Sequence, residues 1–521
     1  MSNVIFSNNL SKFKITIYFS IIISSGLIFR YIFFPFEIPL ILDSLGYFWY
    51  GMDISVNGKF PTEHDMPNNL WPSLLSIFFN ISNSENFLDY MIIQRNLSII
   101  FSVFTAIPTY FLAKKFLRKE FALIAPLFFI FEPRVIENSL AGITEPFFIF
   151  MVVSSLALFF SKHKKMMLLS FVIAGLFCLI RYEGLMITVG MLTILCYRFR
   201  NEKKNFIYVI FAICIFLLVI TPMSIIQIDT MGYDGIFSHV IGGVEVVNNE
   251  SFRDVETSEK KFFPELGIIN FTKFFLWILI PTFTIFLPIG IFYSIKNRQI
   301  KKIELIIIGI FALIPALYAC SRGISETRYL FIIMPILAIL LAYVLEIFSN
   351  KIQKPKIVIL IIITLVIISS LIFFQMKISD YEHEREINMI SVKIYEIASG
   401  INASYFPEGS YLRVAQLTNV VFPITSTDGK SNIKFISSNG IDNIEDYINY
   451  GSENGLTHLV VDQRFIDDDS RKDNFLDDVF VNEEKYSYLI KEFDSIDEGY
   501  FYHLKIFKID FKKFEELVPT S

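Results

Sequence analysis

The chain has 521 residues, 53% of them hydrophobic and only 19% charged, with 57 phenylalanines and a formal net charge of −5. Apolar runs strung end to end with so little charge exclude an ordinary soluble globule, and no basic footprint for nucleic acid is present. Four cysteines in or beside apolar segments, with no CxxC spacing or Cys/His cluster, argue against a disulfide framework or a structural zinc.

In chain order, Lys12 and Lys14 precede an apolar stretch at 15–34. No small-residue cleavage site follows, so it reads as an uncleaved first membrane helix. A hydrocarbon core about 30 Å thick takes roughly 20 apolar residues at 1.5 Å rise each. Runs near 15–34, 91–113, 121–133, 141–160, 166–181, 184–198, 205–222, 271–294, 303–320, 329–348 and 357–375 therefore predict about eleven transmembrane helices. Those at 121–133 and 166–181 are short, bounded by Pro133-Arg134 and Arg181-Tyr182-Glu183. The stretch at 35–90 reads as a polar loop between the first two spans.

Basic residues alternate with the spans. One set of loops carries clusters such as Lys114-Lys115, Arg118-Lys119, Lys164-Lys165 and Lys203-Lys204, while the opposite set is poor in lysine and arginine. Positive charge is retained on the cytoplasmic side, which predicts a cytoplasmic N-terminus and, with eleven spans, an extracytoplasmic C-terminal region. The expected organisation is a membrane domain at 1–376 and a soluble domain at 377–521. In the latter, 411–417, 433–438, 457–462 and 502–509 read as strands. Residues 441–451 read as a helix stopped by Gly451. A small α/β domain is expected.

Most helix centres are free of charge, and the acids gather at one rim. Asp43 follows the first span among apolar neighbours, where partial desolvation would favour basicity and suit a general base. The bland alternative is a solvated or helix-capping aspartate. Glu63, His64 and Asp65 place two carboxylates and an imidazole within three residues, a set able to hold an acceptor or a divalent cation, and His239 can join from a later loop. The spacing matches no strong metal motif, and an ordinary polar loop is the simpler reading of the triplet. Thr144-Glu145-Pro146 opens a span, where the helix dipole favours an acid. Arg181 and Glu183 lie between two spans, and Glu326 and Arg328 precede another. Either arginine can bind a phosphate or merely snorkel toward the interface.

Taken in order, Asp43, Arg95, Thr144-Glu145-Pro146, Arg181-Tyr182-Glu183-Gly184 and Glu326-Thr327-Arg328-Tyr329 resemble the motifs of the GT-C membrane glycosyltransferases. The likeness is greatest to glycosyltransferase family 39, which includes protein O-mannosyltransferases and the lipid A aminoarabinose transferase, and within it to archaeal members. It covers roughly 15–375, and the tail at 455–462 and 507–514 is similar to their C-terminal domain. The resemblance implies a GT-C fold and transfer of a sugar, with inversion, from a polyprenyl (dolichyl) phosphate to a lipid, glycan or protein acceptor on the outer face. It implies Asp43 as the essential acid and Arg181 or Arg328 at the lipid phosphate. Two departures are visible: Asp43 is followed by Ser44 where the O-mannosyltransferases have Asp-Glu, and Met66-Pro67-Asn68-Asn69 lacks their paired prolines. The rival of another class is a lipid or solute transporter, which would place acids or broken helices at mid-membrane. A non-catalytic membrane anchor would leave the rim acids without a task.

Overall fold

The computed structural model describes residues 12–34, 36–61, 68–82, 84, 87–201, 203–242, 263–280, 283–284, 286–297, 299–324, 326–349, 355–402, 433–437, 441–463 and 475–518. The chain forms two compact units. One comprises Met1–Phe34, Leu42–Asn83 and Met91–Gln375; the other comprises Pro35–Ile41, Ser84–Tyr90 and Met376–Ser521.

The first unit is helical throughout its described elements. It begins with α1 (Lys12–Ile32), α2 (Leu42–Asn57) and α3 (Leu70–Ile81). Next come α4 (Phe87–Phe104), which continues almost unbroken as α5 (Ala106–Ala113), and the short α6 (Lys119–Ala122), α7 (Ile124–Ile130) and α8 (Pro133–Leu140). They are followed by α9 (Glu145–Phe159), α10 (Lys164–Ile180), α11 (Gly184–Phe199) and α12 (Lys203–Met231). After these come α13 (Pro264–Leu279), α14 (Phe286–Lys296), α15 (Ile300–Ser321), a 3-10 turn (Thr327–Ile333), α16 (Met334–Ser349) and α17 (Pro355–Ile397).

Among the described residues six helices are long and apolar enough to cross a membrane, and shorter apolar helices accompany them. In the span Thr327–Ser349, 89% of the most apolar window is buried, against 17% in Ile357–Ile397. A helix apolar on every face must be either packed inside protein or bathed in lipid. By that measure α16 is the central helix. On α12 and α17, Leu218, Leu360 and Leu365 are exposed and present the apolar surface a bilayer would cover.

Two expectations change here. The stretch at 35–90 is not simply a loop. It contains α2 and α3, which pack with the buried Phe48 and Phe79 rings 5.5 Å apart, while buried Trp71 of α3 meets Phe101 and Phe147. Gly51 permits the close crossing, since a Cβ there would lie 3.1 Å from Leu75 Cβ. α2 carries polar residues along its length and α3 is apolar but only 12 residues long, so neither forms an apolar run of spanning length. The expected single span at 271–294 is divided: α13 ends at Leu279, followed by an extended Ile280, and α14 begins at Phe286 with Pro288 tolerated in its first turn.

Polar groups inside the bundle are tied down. Fully buried Arg30 donates to Ser139 Oγ at 2.9 Å, Ser102 Oγ at 2.9 Å, and the carbonyls of Gly26 and Ile130 at 3.0 and 3.3 Å. It thereby links α1 to three later elements. Arg198 of α11 grips Glu304 of α15 with two bonds of 2.9 and 2.5 Å.

The second unit carries a five-stranded sheet of order β2-β1-β3-β5-β4, from β1 (Gly400–Asn402), β2 (Lys434–Ile436), β3 (His458–Asp462), β4 (Leu489–Asp494) and β5 (Leu504–Ile509). β1 pairs parallel with β2 and β3; β5 pairs antiparallel with β3 and β4. Every residue of β3 is buried, as befits a central strand with both faces covered. The expected strands at 433–438, 457–462 and 502–509 correspond to β2, β3 and β5, whereas 411–417 lies outside the described residues. The helix α18 (Ile444–Asn454) runs past Gly451 and ends at Gly455, whose φ of 89° supplies the left-handed C-cap. Gly451 is instead a packing position, buried against Leu456. Further helices are Phe475–Val481 and Phe511–Leu517. α17 stays helical well beyond Gln375, because Ile387, Ile390 and Ile394 recur at helical spacing and are buried.

Candidate active site

The candidate residues sit where elements begin or end. Asp43 lies in the first turn of α2, directly after Leu42, whose φ of 51° turns the chain in a conformation uncommon for a bulky side chain. Glu145 opens α9 with Pro146 beside it, a position where the helix dipole favours negative charge. Arg181 caps α10 with extended backbone, and Glu183 precedes α11. The turn between them is tight: the Gly184 amide donates to the Arg181 carbonyl at 3.0 Å. A Cβ on Gly184 would lie 2.5 Å from the Phe177 ring. Arg328 sits on the 3-10 turn, just after the extended Glu326.

The fold brings these termini together. Arg181 donates from Nη1 to Glu145 Oε1 at 2.5 Å and to Thr144 Oγ1 at 3.3 Å, and from Nη2 to Glu183 Oε1 at 2.6 Å. Arg328 donates from Nη2 to Asp43 Oδ2 at 2.6 Å and pairs through Nε with Glu326. Its Nε also lies 3.9 Å from Glu145 Oε1, so Glu145 stands between the two guanidinium groups. Tyr329 faces both cations, with ring centroids 5.3 Å from Arg181 and 5.7 Å from Arg328. Buried Tyr47 accepts from Asn68 Nδ2 at 3.1 Å, and burial pushes its phenol above the ordinary range.

Glu145, Arg181, Glu183, Arg328 and Tyr329 line one cavity of about 20 Å³, the room of roughly one water molecule. Its remaining wall is apolar, including Phe148, Ile187 and Pro315. Glu183 Oε2 is buried and makes no hydrogen bond among the described residues. Exposure divides the acids. The Glu145 and Glu183 side chains are 5% and 11% exposed, whereas Asp43 and Glu326 are 52% and 46% exposed. The Asp43 side chain is half exposed, so its shielding is partial and far less than that of Glu145 or Glu183.

Of the other candidates, His239 packs against Tyr182, the residue between Arg181 and Glu183. Its ring packs 5.1 Å from that of Tyr182 and 5.9 Å from that of Tyr233. Arg95 is buried within α4, over the Phe34 ring at 4.6 Å. Glu63, His64 and Asp65 lie outside the described residues. Among the described residues no group of three or more His, Cys, Asp or Glu side chains is placed to hold a metal ion. The sequence reading missed the role of Tyr329 between the two arginines; its only signal was adjacency to Arg328.

A family model described as dolichyl-phosphate-mannose-protein mannosyltransferase matches residues 76–229, less than a third of the chain. No curated protein sequence matches. Among solved structures, ArnT from Cupriavidus metallidurans bound to undecaprenyl phosphate matches with a TM-score of 0.58 at 9% identity, over 95% of this chain and 98% of that one. The Archaeoglobus fulgidus oligosaccharyltransferase in its apo form matches with a TM-score of 0.53 at 12% identity, over 88% and 70%. The same enzyme in complex with zinc and sulfate matches with a TM-score of 0.51 at 14% identity, over 85% and 68%. The expected GT-C fold, the resemblance to the mannosyltransferase family and the glycosyltransferase class are borne out by these matches, and the chain is a membrane protein.

Proposed function

We propose that this GT-C protein transfers a sugar, with inversion, from a polyprenyl phosphate to an acceptor hydroxyl at the outer face of a membrane. One observation carries the reading: Asp43 and Arg328, far apart in sequence, meet at 2.6 Å beside the Arg181–Glu145 pair. A candidate base thus stands next to two cations at one end of a helical bundle. The likeness to an ArnT bound to undecaprenyl phosphate supports a lipid-linked donor. The match to a dolichyl-phosphate-mannose family model supports a polyprenyl phosphate of dolichyl type. The acceptor is a lipid, glycan or protein that presents a hydroxyl to Asp43. The soluble region at 377–521 is assigned to the same outer side.

In this mechanism Asp43 removes the proton of the acceptor hydroxyl, and the oxygen attacks the anomeric carbon from the face opposite the phosphate. The bond from that carbon to the phosphate oxygen breaks, and the electron pair leaves with the polyprenyl phosphate. Arg328 and Arg181 stabilise the departing charge. Phosphate is already a good leaving group, so a dedicated general acid is not required.

The described acids of the site are engaged by guanidinium groups and form no cage for a cation. No step is routed through a metal. Glu63, His64, Asp65 and His239 remain the candidates for the acceptor or a divalent cation. The test is to supply labelled polyprenyl-phosphate sugars and candidate acceptors to the purified protein, with mass detection of the product. Absence of transfer from every polyprenyl-linked donor would remove the reading.

A further inference from the structure

We infer that Arg328 serves two partners in turn: it holds Asp43 in the resting protein and releases it when the donor phosphate takes its place. The inference rests on the proposed transfer from a polyprenyl phosphate and adds the order of events at that site.

The site has four carboxylates, Asp43, Glu145, Glu183 and Glu326, around two guanidinium groups. Every carboxylate oxygen bonded to an arginine competes with a phosphate for the same N–H donors. The cavity of about 20 Å³ that Arg181 and Arg328 line has room for roughly one water molecule, so a phosphate cannot sit between the two guanidinium groups without a rearrangement. The exposures decide which groups move. Pulling Glu145 or Glu183 from Arg181 would strand a carboxylate that is 5% or 11% exposed, and buried unpaired charge is strongly disfavoured. Pulling Asp43 or Glu326 from Arg328 moves a carboxylate already half in solvent, where ion pairs hold weakly. Arg181 is the fixed cation of the site, and Arg328 is the exchangeable one.

The consequence falls on the base. Asp43 Oδ2 accepts from Arg328 Nη2 at 2.6 Å, so one of its two carboxylate oxygens is tied to the guanidinium and the carboxylate is held in that orientation. When phosphate binds Arg328, Asp43 is freed to receive the hydroxyl proton. The guanidinium that released the base then holds the charge of the leaving phosphate. After the lipid phosphate departs, Asp43 returns to Arg328. Donor binding therefore precedes activation of the acceptor, and an acceptor alone meets a base still paired with Arg328.

The test is a double-mutant cycle on full-length protein in nanodiscs, with polyprenyl monophosphate as the probe. Asp43→Asn should bind the probe about 3- to 10-fold more tightly than the parent, because a charged competitor for Arg328 is replaced by a neutral, weaker acceptor. In an Arg328→Met background the same substitution should give no gain, and Arg328→Gln serves as a second background. An equal gain in both backgrounds would reduce the effect to general relief of repulsion and overturn the exchange. No gain in the single variant overturns it as well. Both outcomes leave the functional reading standing, provided the parent binds the probe. A parent that takes up no polyprenyl phosphate removes the functional reading and the exchange with it.

Discussion

Glu145 Oε1 lies 2.5 Å from Nη1 of Arg181, and both side chains are less than a tenth exposed. Each charge makes the burial of the other tolerable, and Glu183 and Thr144 complete the fork. Removing one partner leaves an uncompensated charge, which typically costs about 3–5 kcal/mol. Glu145→Ala should lower the melting temperature of the full-length protein in detergent by several degrees. Glu145→Gln should lower it less, because its amide oxygen still accepts a bond. Unchanged melting in the alanine variant would mean that Glu183 alone satisfies Arg181.

Asp43→Asn nearly preserves volume and hydrogen bonding but cannot take a proton. Loss of a general base lowers rates about 100- to 10,000-fold. Turnover should collapse while thermal stability holds, since a half-exposed side chain contributes little to packing. Turnover within a few-fold of the parent would move the search for the base to Glu63 or Asp65.

The alternation of basic loops predicts that the C-terminal region is extracytoplasmic. Protease added to intact cells should remove an epitope placed at the C-terminus, and protease added to inverted vesicles should not. The opposite pattern would mean that the number of spans differs by one from the eleven expected.

His458 should give the second unit a pH response. It is buried in β3, with Nδ1 2.8 Å from Thr457 Oγ1 and Nε2 3.2 Å from Glu492 Oε2. Burial lowers its pKa below the ordinary 6.5, and this outweighs the opposing pull of Glu492. The folded state therefore prefers the neutral ring, while the unfolded chain takes a proton more readily. The stability from this residue is complete above pH about 6.5 and declines as the pH falls toward the lowered value. Hydrogen exchange in β3, corrected for intrinsic rate, should quicken between pH 7.5 and pH 5.5. In His458→Gln that acceleration should shrink; an equal acceleration in the variant would assign the pH response to other groups.

The sequence alone determined that the chain is a membrane protein, because apolar length is a local property and a bilayer has a fixed thickness. It also determined which residues could be functional. A charge among apolar runs is conspicuous wherever it falls, so Asp43, Glu145, Arg181, Glu183, Glu326 and Arg328 were visible from composition and order. The strands β2, β3 and β5 were legible as β-branched runs, while the polar, exposed edge strand β4 was not. Only the tertiary structure decided the pairing: Arg328 with Asp43, Arg181 with Glu145, and Tyr329 against both cations. Those contacts join helix ends that are remote in sequence, and no local pattern encodes which end meets which. The same holds for exposure. Asp43 among apolar neighbours reads as shielded, yet it is half exposed, because shielding depends on what packs across from a residue rather than beside it.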